Sequence, residues 1–199
     1  ILGQYLGLVS FGHVPRAVSR RAKAFGLHVL AYDPYVSEQV MSEYGVEPVG
    51  LLELLERSDF VSVHAPAREE THHLITEEHF RHMRRSAVFV NIGRGPTVDE
   101  QALIRALQEG WIAMAALDVL EQEPPDPENP LLHMDNVIVT PHIGSASARM
   151  LSETRRRVGR EIALVLQGLW PRGPVNAEVL PKSGLRRWQP QSMEWGPNY

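Results

Sequence analysis

The sequence predicts an α/β protein organised as a doubly wound parallel sheet. Two observations predict it. Residues 6–33 run as apolar segment, tight turn, helix-period segment, second apolar segment and acid, the length of one βαβ unit. Downstream, short apolar runs keep alternating with helix-period segments as far as Thr140. That alternation places successive strands in one parallel sheet with helices on its faces, and puts the site at the carboxyl ends of the strands.

Leu6–Val9 reads as the first strand and Ser10–Gly12 as a polar turn. In the helix that follows, Val14, Ala17, Val18, Ala22 and Phe25 form one face and Arg16, Arg20, Arg21 and Lys23 another. Gly26 ends it as a C′ glycine. Leu27–Tyr32 is the second strand, stopping at Asp33. Helices are expected over Ser37–Tyr44 and Gly50–Arg57, and a strand over Asp59–His64. Thr76–Met83 opens with a capping Thr and a nearby acid, a helix start. A strand at Ala87–Asn91, a helix at Asp99–Glu109 closed by Gly110, and an alanine-rich strand at Ile112–Asp118 follow. Pro124–Pro130 is a proline-rich loop and Val137–Thr140 the last clear strand. A long amphipathic helix is expected from Ala146 to Gln167. Gly168–Pro181 cannot continue it, and Lys182–Tyr199, polar and rich in Pro and Gly, reads as a flexible tail whose Trp188 and Trp195 could anchor a partner.

Composition narrows the function. A formal net charge of −4 weighs against a nucleic-acid partner. The absence of cysteine excludes disulfides and thiolate chemistry and fits a reducing, cytoplasmic setting. No apolar run is long enough to span a membrane and no secretory signal opens the chain.

The first turn reads Ser10-Phe11-Gly12-His13-Val14-Pro15 where a dinucleotide-binding turn carries G-x-G-x-x-G. Gly12, which lets backbone approach phosphate, is kept. Ser10 requires the turn to tolerate a Cβ. Pro15 loses only an N–H without an intrahelical partner, but is expected to push Val14 away from helical angles. Alone, this turn fits an ordinary βα connection equally well. Asp33, at the spacing of an acid that binds the adenosine ribose, and the residues downstream favour a dinucleotide.

Three strand-end segments carry chemistry: Val90–Leu103 holds Arg94 in a glycine turn, Ala115–Pro125 holds Asp118 and Glu123, and Val137–Ser147 holds His142 among small residues. Singly, Arg94 reads as a surface cation, Glu123 as a loop solubiliser and His142 as a satisfied loop histidine. On one sheet edge, after a dinucleotide unit, they read as a guanidinium, a carboxylate and an imidazole of one site. His64, His72, His73, His79 and His82 lie close in sequence, but on different elements and without Cys, so no metal site is expected.

Asn91–Leu103 (N-x-x-R-G-x-x-V-D-E-x-A-L), Ala116–Pro124 (A-L-D-V-x-x-x-E-P) and Thr140–Gly144 (T-P-H-I-G) resemble the signatures of the D-isomer-specific 2-hydroxyacid dehydrogenase family. The resemblance covers Gly3 to about Val179. His72–Ile75 and Ala24–Gly26 also resemble the branch containing the C-terminal binding protein co-repressors. The resemblance implies a Rossmann-type NAD-binding domain over residues 1–150. It implies that Arg94 holds the substrate carboxylate and polarises the 2-oxo group, that His142 exchanges a proton with the carbonyl oxygen, and that Glu123 orients the imidazole and raises its pKa. Cofactor contacts carry over to Gly12, His13, Val14, Asp33, Ala65, Thr71, Ile92, Gly93, Arg94, Asp118, His142, Gly144 and Ser145, and Asp33 selects NAD because a 2′-phosphate would meet its charge. Glu rather than Gln at 123 argues against the formate-oxidising relatives.

The same resemblance implies a substrate-binding segment ahead of Gly3, so the N-terminal part of the substrate domain is expected to be missing, with residues 151–181 as the return to it. It also suggests a homodimer through the cofactor domain. Two functions follow. One is an NAD-dependent oxidoreductase acting on a small D-2-hydroxy acid or its 2-oxo acid, or the cofactor domain of one. The other is a non-catalytic, NAD-holding, self-associating module, co-repressor-like or a degenerate paralogue.

Overall fold

The computed structural model describes residues 1–187. The chain divides into two compact units, Ile1–Gly144 and Ser145–Tyr199. The division falls at Gly144, against an expected boundary at residue 150.

The first unit is a seven-stranded, all-parallel sheet. Its strands are β1 (Tyr5–Val9), β2 (His28–Tyr32), β3 (Glu47–Pro48), β4 (Phe60–Val63), β5 (Val88–Asn91), β6 (Met114–Leu117) and β7 (Val137–Val139), in spatial order β3-β2-β1-β4-β5-β6-β7. The order reverses between β1 and β4, which opens a crevice at their carboxyl ends. β3 was not foreseen. It is only two residues long and lies at the sheet edge, where a proline costs no ladder hydrogen bond.

Side chains alternate along the strands and so feed two cores. Leu6, Leu8, Val29 and Ala31 join Phe11, Met41 and Val46 on one face, and Val9, Leu30, Val61 and Val63 join Leu54, Phe80 and Phe89 on the other. The helices are α1 (His13–Ala24), α2 (Glu38–Glu43), α3 (Leu51–Arg57), α4 (Glu77–His82) and α5 (Glu100–Gln108). Gly7 admits α3 to the sheet: a Cβ there would stand 2.4 Å from both Leu54 Cδ2 and Ser58 Oγ.

Local chemistry differs from expectation at four places. α1 buries Pro15, Ser19 and Ala22, whereas Val14 and Phe25 are more than half exposed. The buried stripe is therefore rotated from the one that hydrophobicity alone draws, because small residues let the helix lie close to the sheet. Val14 stays within the helix, which runs through Pro15, and Arg16 N–H makes the first intrahelical bond to Gly12 O at 3.2 Å. The turn is not wholly polar: Phe11 is fully buried, edge-on to Tyr44 at 5.7 Å, with the Arg16 guanidinium over both rings. In α4 the capping partner of Thr76 is not an acid but His79, whose Nδ1 accepts the Thr76 N–H at 3.2 Å.

In the second unit α6 spans Met150–Leu166 and begins four residues later than expected, where Ser147 Oγ accepts the Met150 N–H. None of its residues is buried, and Val158, Ile162 and Leu166 are exposed. Gly168, at φ +74°, ends it. Residues 182–187 are held, not free: Arg186 exchanges backbone hydrogen bonds with Gly168 and Trp170, and Trp170 Nε1–H donates to Leu185 O at 2.9 Å. Trp188 and Trp195, and the tail beyond Arg187, lie outside the described residues.

Candidate active site

Two hollows open at the carboxyl edge of the sheet. The first, of about 410 Å³, lies where the strand order reverses and is lined by Ser10, Gly12, Asp33, Ala65, Thr71 and their neighbours. Gly12 has open space where a Cβ would project. The N–H groups of His13 and Val14 precede the first intrahelical donor, so they face forward from the start of α1. Pro15 removes the third such donor. A bare glycine, a helix N-terminus and a hollow at the reversal point fit the pyrophosphate of a dinucleotide.

Asp33 is tied to the turn before α1. Its Oδ2 accepts the Phe11 N–H at 2.7 Å and lies 3.3 Å from Ser10 Oγ, and its Oδ1 accepts the Tyr35 N–H at 2.8 Å. The acid therefore holds the glycine turn against the end of β2. Ser10 sits at φ +82°, the left-handed region that the fingerprint's first glycine would occupy without strain. Thr71 Oγ1 donates to Pro66 O at 2.6 Å, shaping the far wall. His64 also lines the hollow, which sequence reasoning missed. Its Nε2 lies 3.0 Å from Ser62 Oγ, and burial pushes its pKa down to about 4.

The second hollow, of about 510 Å³, lies beyond β6 and β7 and is lined by Asp118, Glu123, Thr140 and His142 among apolar residues. His142 Nδ1 stands 2.8 Å from Glu123 Oε2, and Glu123 Oε1 accepts the Leu120 N–H at 3.2 Å. An ionised carboxylate only accepts, so Nδ1 carries the shared proton and Nε2 is left for proton exchange. Asp118 builds the loop that presents the imidazole. It accepts Thr140 Oγ1 at 2.6 Å and the N–H groups of Ile143 and Gly144 at 2.9 and 2.8 Å. Burial works to raise its pKa, but these three bonds and the nearby His142 outweigh it and hold the carboxyl below its usual range. His142 itself sits at φ +51°.

Arg94 follows β5, the neighbour of β6. Its guanidinium is exposed and donates to Gly93 O at 2.7 Å. The structure brings Glu123 to His142 and Asp118 to Gly144, but gives Arg94 no direct bond to either pair. Ile92 is exposed beside it, and Gly93 is buried where a Cβ would stand 2.9 Å from Ala65 O. Ser145 opens the second unit. Much of the Arg94 signature proves to be scaffolding. Asn91 Oδ1 accepts the Gly93 N–H and Nδ2 donates to Arg94 O, Asp99 caps α5, and Glu100 accepts the Glu121 N–H at 2.8 Å. These residues were legible as motif letters but not as loop ties.

The family described as D-isomer specific 2-hydroxyacid dehydrogenase, NAD binding domain, matches residues 1–144. A glyoxylate reductase of Korarchaeum cryptofilum is 48% identical over 180 residues, covering 90% of this chain and 54% of the relative. A D-3-phosphoglycerate dehydrogenase of Methanocaldococcus jannaschii is 40% identical over 191 residues, covering 96% of this chain and 36% of the relative. The solved D-lactate dehydrogenase with NAD+ from Lactobacillus jensenii superposes with a TM-score of 0.76 at 30% identity, covering 83% of this chain and 53% of that one. The chain spans about half the length of the curated glyoxylate reductases it matches. With the sheet order, the turn before α1 and the paired imidazole and carboxylate beyond β7, the match places this chain in the NAD-binding domain of the D-isomer-specific 2-hydroxyacid dehydrogenase family.

Proposed function

We propose that this chain is the cofactor-binding part of an NAD-dependent oxidoreductase that interconverts a small D-2-hydroxy acid and its 2-oxo acid. The observation that carries the reading is the 2.8 Å contact between His142 Nδ1 and Glu123 Oε2 at the sheet's carboxyl edge. The glyoxylate reductases among its relatives suggest glyoxylate as the first substrate to try.

The first hollow would hold the dinucleotide, with Gly12 and the start of α1 at the pyrophosphate and Asp33 at the adenosine ribose. NAD, when bound, supplies or accepts the hydride. Arg94 binds the substrate carboxylate with its exposed guanidinium, since a planar cation grips a carboxylate through two parallel N–H bonds. His142 Nε2 gives its proton to the carbonyl oxygen in reduction and takes it back in oxidation. Glu123 fixes the tautomer and orientation of the imidazole and offsets the positive charge the ring carries as the acid. A homodimer in a cytoplasmic setting completes the reading, supported by the family resemblance and the absence of cysteine.

The test is NADH oxidation by the purified protein with glyoxylate or hydroxypyruvate. His142→Ala is expected to lower kcat by about 10²-fold or more, the usual worth of a general acid. Glu123→Gln is expected to lower kcat less and to shift the pH profile. A loss of only a few-fold in His142→Ala sinks the assignment, and absence of turnover in the presence of tight NADH binding would favour the non-catalytic module.

A further inference from the structure

Outside the site just described, the fold draws together one cluster of metal-ligating side chains among the described residues. His72, His73 and Glu121 each offer a ligand atom, and these atoms lie within 4.8 Å of one another. His72 and His73 are neighbours in sequence, and neighbouring side chains in extended backbone point to opposite sides. His73 escapes that rule. It sits at φ +48°, its backbone N–H donates to Pro96 O at 2.8 Å, and its ring stacks on that of His72 with centroids 4.0 Å apart. Glu121 arrives from 48 residues away, and its Oε1 lies 2.8 Å from His73 Nε2. Glu100 holds the Glu121 backbone in place: its Oε2 accepts the Glu121 N–H at 2.8 Å, and Glu121 Oε2 lies 3.4 Å from the Glu100 N–H.

We propose that His72, His73 and Glu121 form a binding site for a late first-row divalent cation, Zn²⁺ foremost. Two imidazoles and one carboxylate are a borderline ligand set. It suits Zn²⁺, Ni²⁺ or Cu²⁺ and disfavours Mg²⁺ and Ca²⁺, which require oxygen ligands. Ligands around one Zn²⁺ stand roughly 3.3 Å apart, so the widest separation in the cluster needs to contract by about 1.5 Å. The three side chains can do so by rotation, because His72 is exposed and His73 and Glu121 are each about 35% exposed. Three protein ligands leave a fourth position to water.

The consequence lies in what the site would join. His72 and His73 follow Thr71 in the wall of the cofactor hollow, and Glu121 precedes Glu123 in the loop that orients His142. A cation here ties those two loops together from outside the catalytic contacts. It would stabilise the first unit without entering the hydride-transfer site. This inference does not depend on the proposed enzymatic activity.

The experiment is Zn²⁺ titration of the chain against a chromophoric chelator, with Co²⁺ absorption as a probe of coordination and thermal unfolding measured alongside. The expected result is one equivalent bound at micromolar concentration and a higher Tm with Zn²⁺ present. His72→Ala, His73→Ala and Glu121→Gln should each weaken binding by about tenfold or more, while His133→Ala should not. If His73→Ala fails to fold, the variants at the more accessible His72 and at Glu121 decide the matter. Absence of binding up to about 100 µM, or equal affinity in wild type, His72→Ala and Glu121→Gln, overturns the proposal and leaves His73–Glu121 as an ordinary surface ion pair.

Discussion

A Cβ added to Gly95 would stand 1.8 Å from the carbonyl oxygen of Leu120. The turn that carries Arg94 is thus in backbone contact with the loop that carries Glu123, and no side-chain rotation can relieve a larger residue there. Gly95→Ala is expected to destabilise the chain by at least about 1–3 kcal/mol, the range for overpacking, and to displace both loops. Gly159→Ala, in open space within α6, should instead stabilise by about 0.5–1 kcal/mol. Urea unfolding of the two variants checks the contrast.

Ser10 occupies a left-handed backbone position at φ +82°, and its hydroxyl makes a long 3.3 Å contact with Asp33. Relief of that strain is worth about 1–2 kcal/mol, against about 0.5–1 kcal/mol for the added freedom of an unfolded glycine. Ser10→Gly should therefore be more stable than wild type by about 0.5 kcal/mol, and Ser10→Ala less stable. Chemical denaturation of the three proteins reads the order directly.

Asp33 places a negative charge at the end of β2 and ties down the turn before α1. NADH should bind more tightly than NADPH in a fluorescence titration. Asp33→Asn keeps an acceptor for the Phe11 N–H but removes the charge, and should narrow the NADH preference by about tenfold. An unchanged preference would assign the carboxylate to holding the turn alone.

Burial holds the His64 pKa at about 4 against an ordinary 6.5. The folded state therefore keeps the ring neutral while the unfolded chain protonates it between those values. Stability from this group is fully present above pH 6.5 and is lost as the pH falls towards 4. The loss is on the order of 3 kcal/mol at most. His64→Gln, unable to titrate, should flatten the pH dependence of Tm over that window relative to wild type.

In the active protein, Thr140→Val should impair turnover although Thr140 is assigned no contact with substrate. Its hydroxyl is one of three donors by which Asp118 shapes the loop under His142. Asp118 keeps its two backbone donors, so the loss is that of one hydrogen bond to a charged group, about 1.5–3 kcal/mol. The expected readout is a lower Tm and a lower kcat, with NADH affinity changed least.

What the sequence by itself determined was periodic or local. Alternating apolar runs dictated the parallel strands, Gly26 and Gly110 marked where α1 and α5 stop, and the spacing from Gly12 to Asp33 marked the dinucleotide unit. These signals need no partner distant in the chain. The motif letters likewise pointed to Arg94, Glu123 and His142, because each stands where a strand runs out. Tertiary structure decided what depends on close approach between distant residues. It put Glu123 on the Nδ1 side of His142, seated Gly95 against Leu120, rotated α1 onto Pro15, Ser19 and Ala22, and brought Glu121 to His73 across 48 residues. Asp33 shows the same division. Its spacing pointed to a ligand contact, yet the fold gives it two donors from the turn it faces, Ser10 Oγ and the Phe11 N–H, and a third from Tyr35 in its own loop. A carboxylate has lone pairs for both tasks, and only packing determines which donors come within reach.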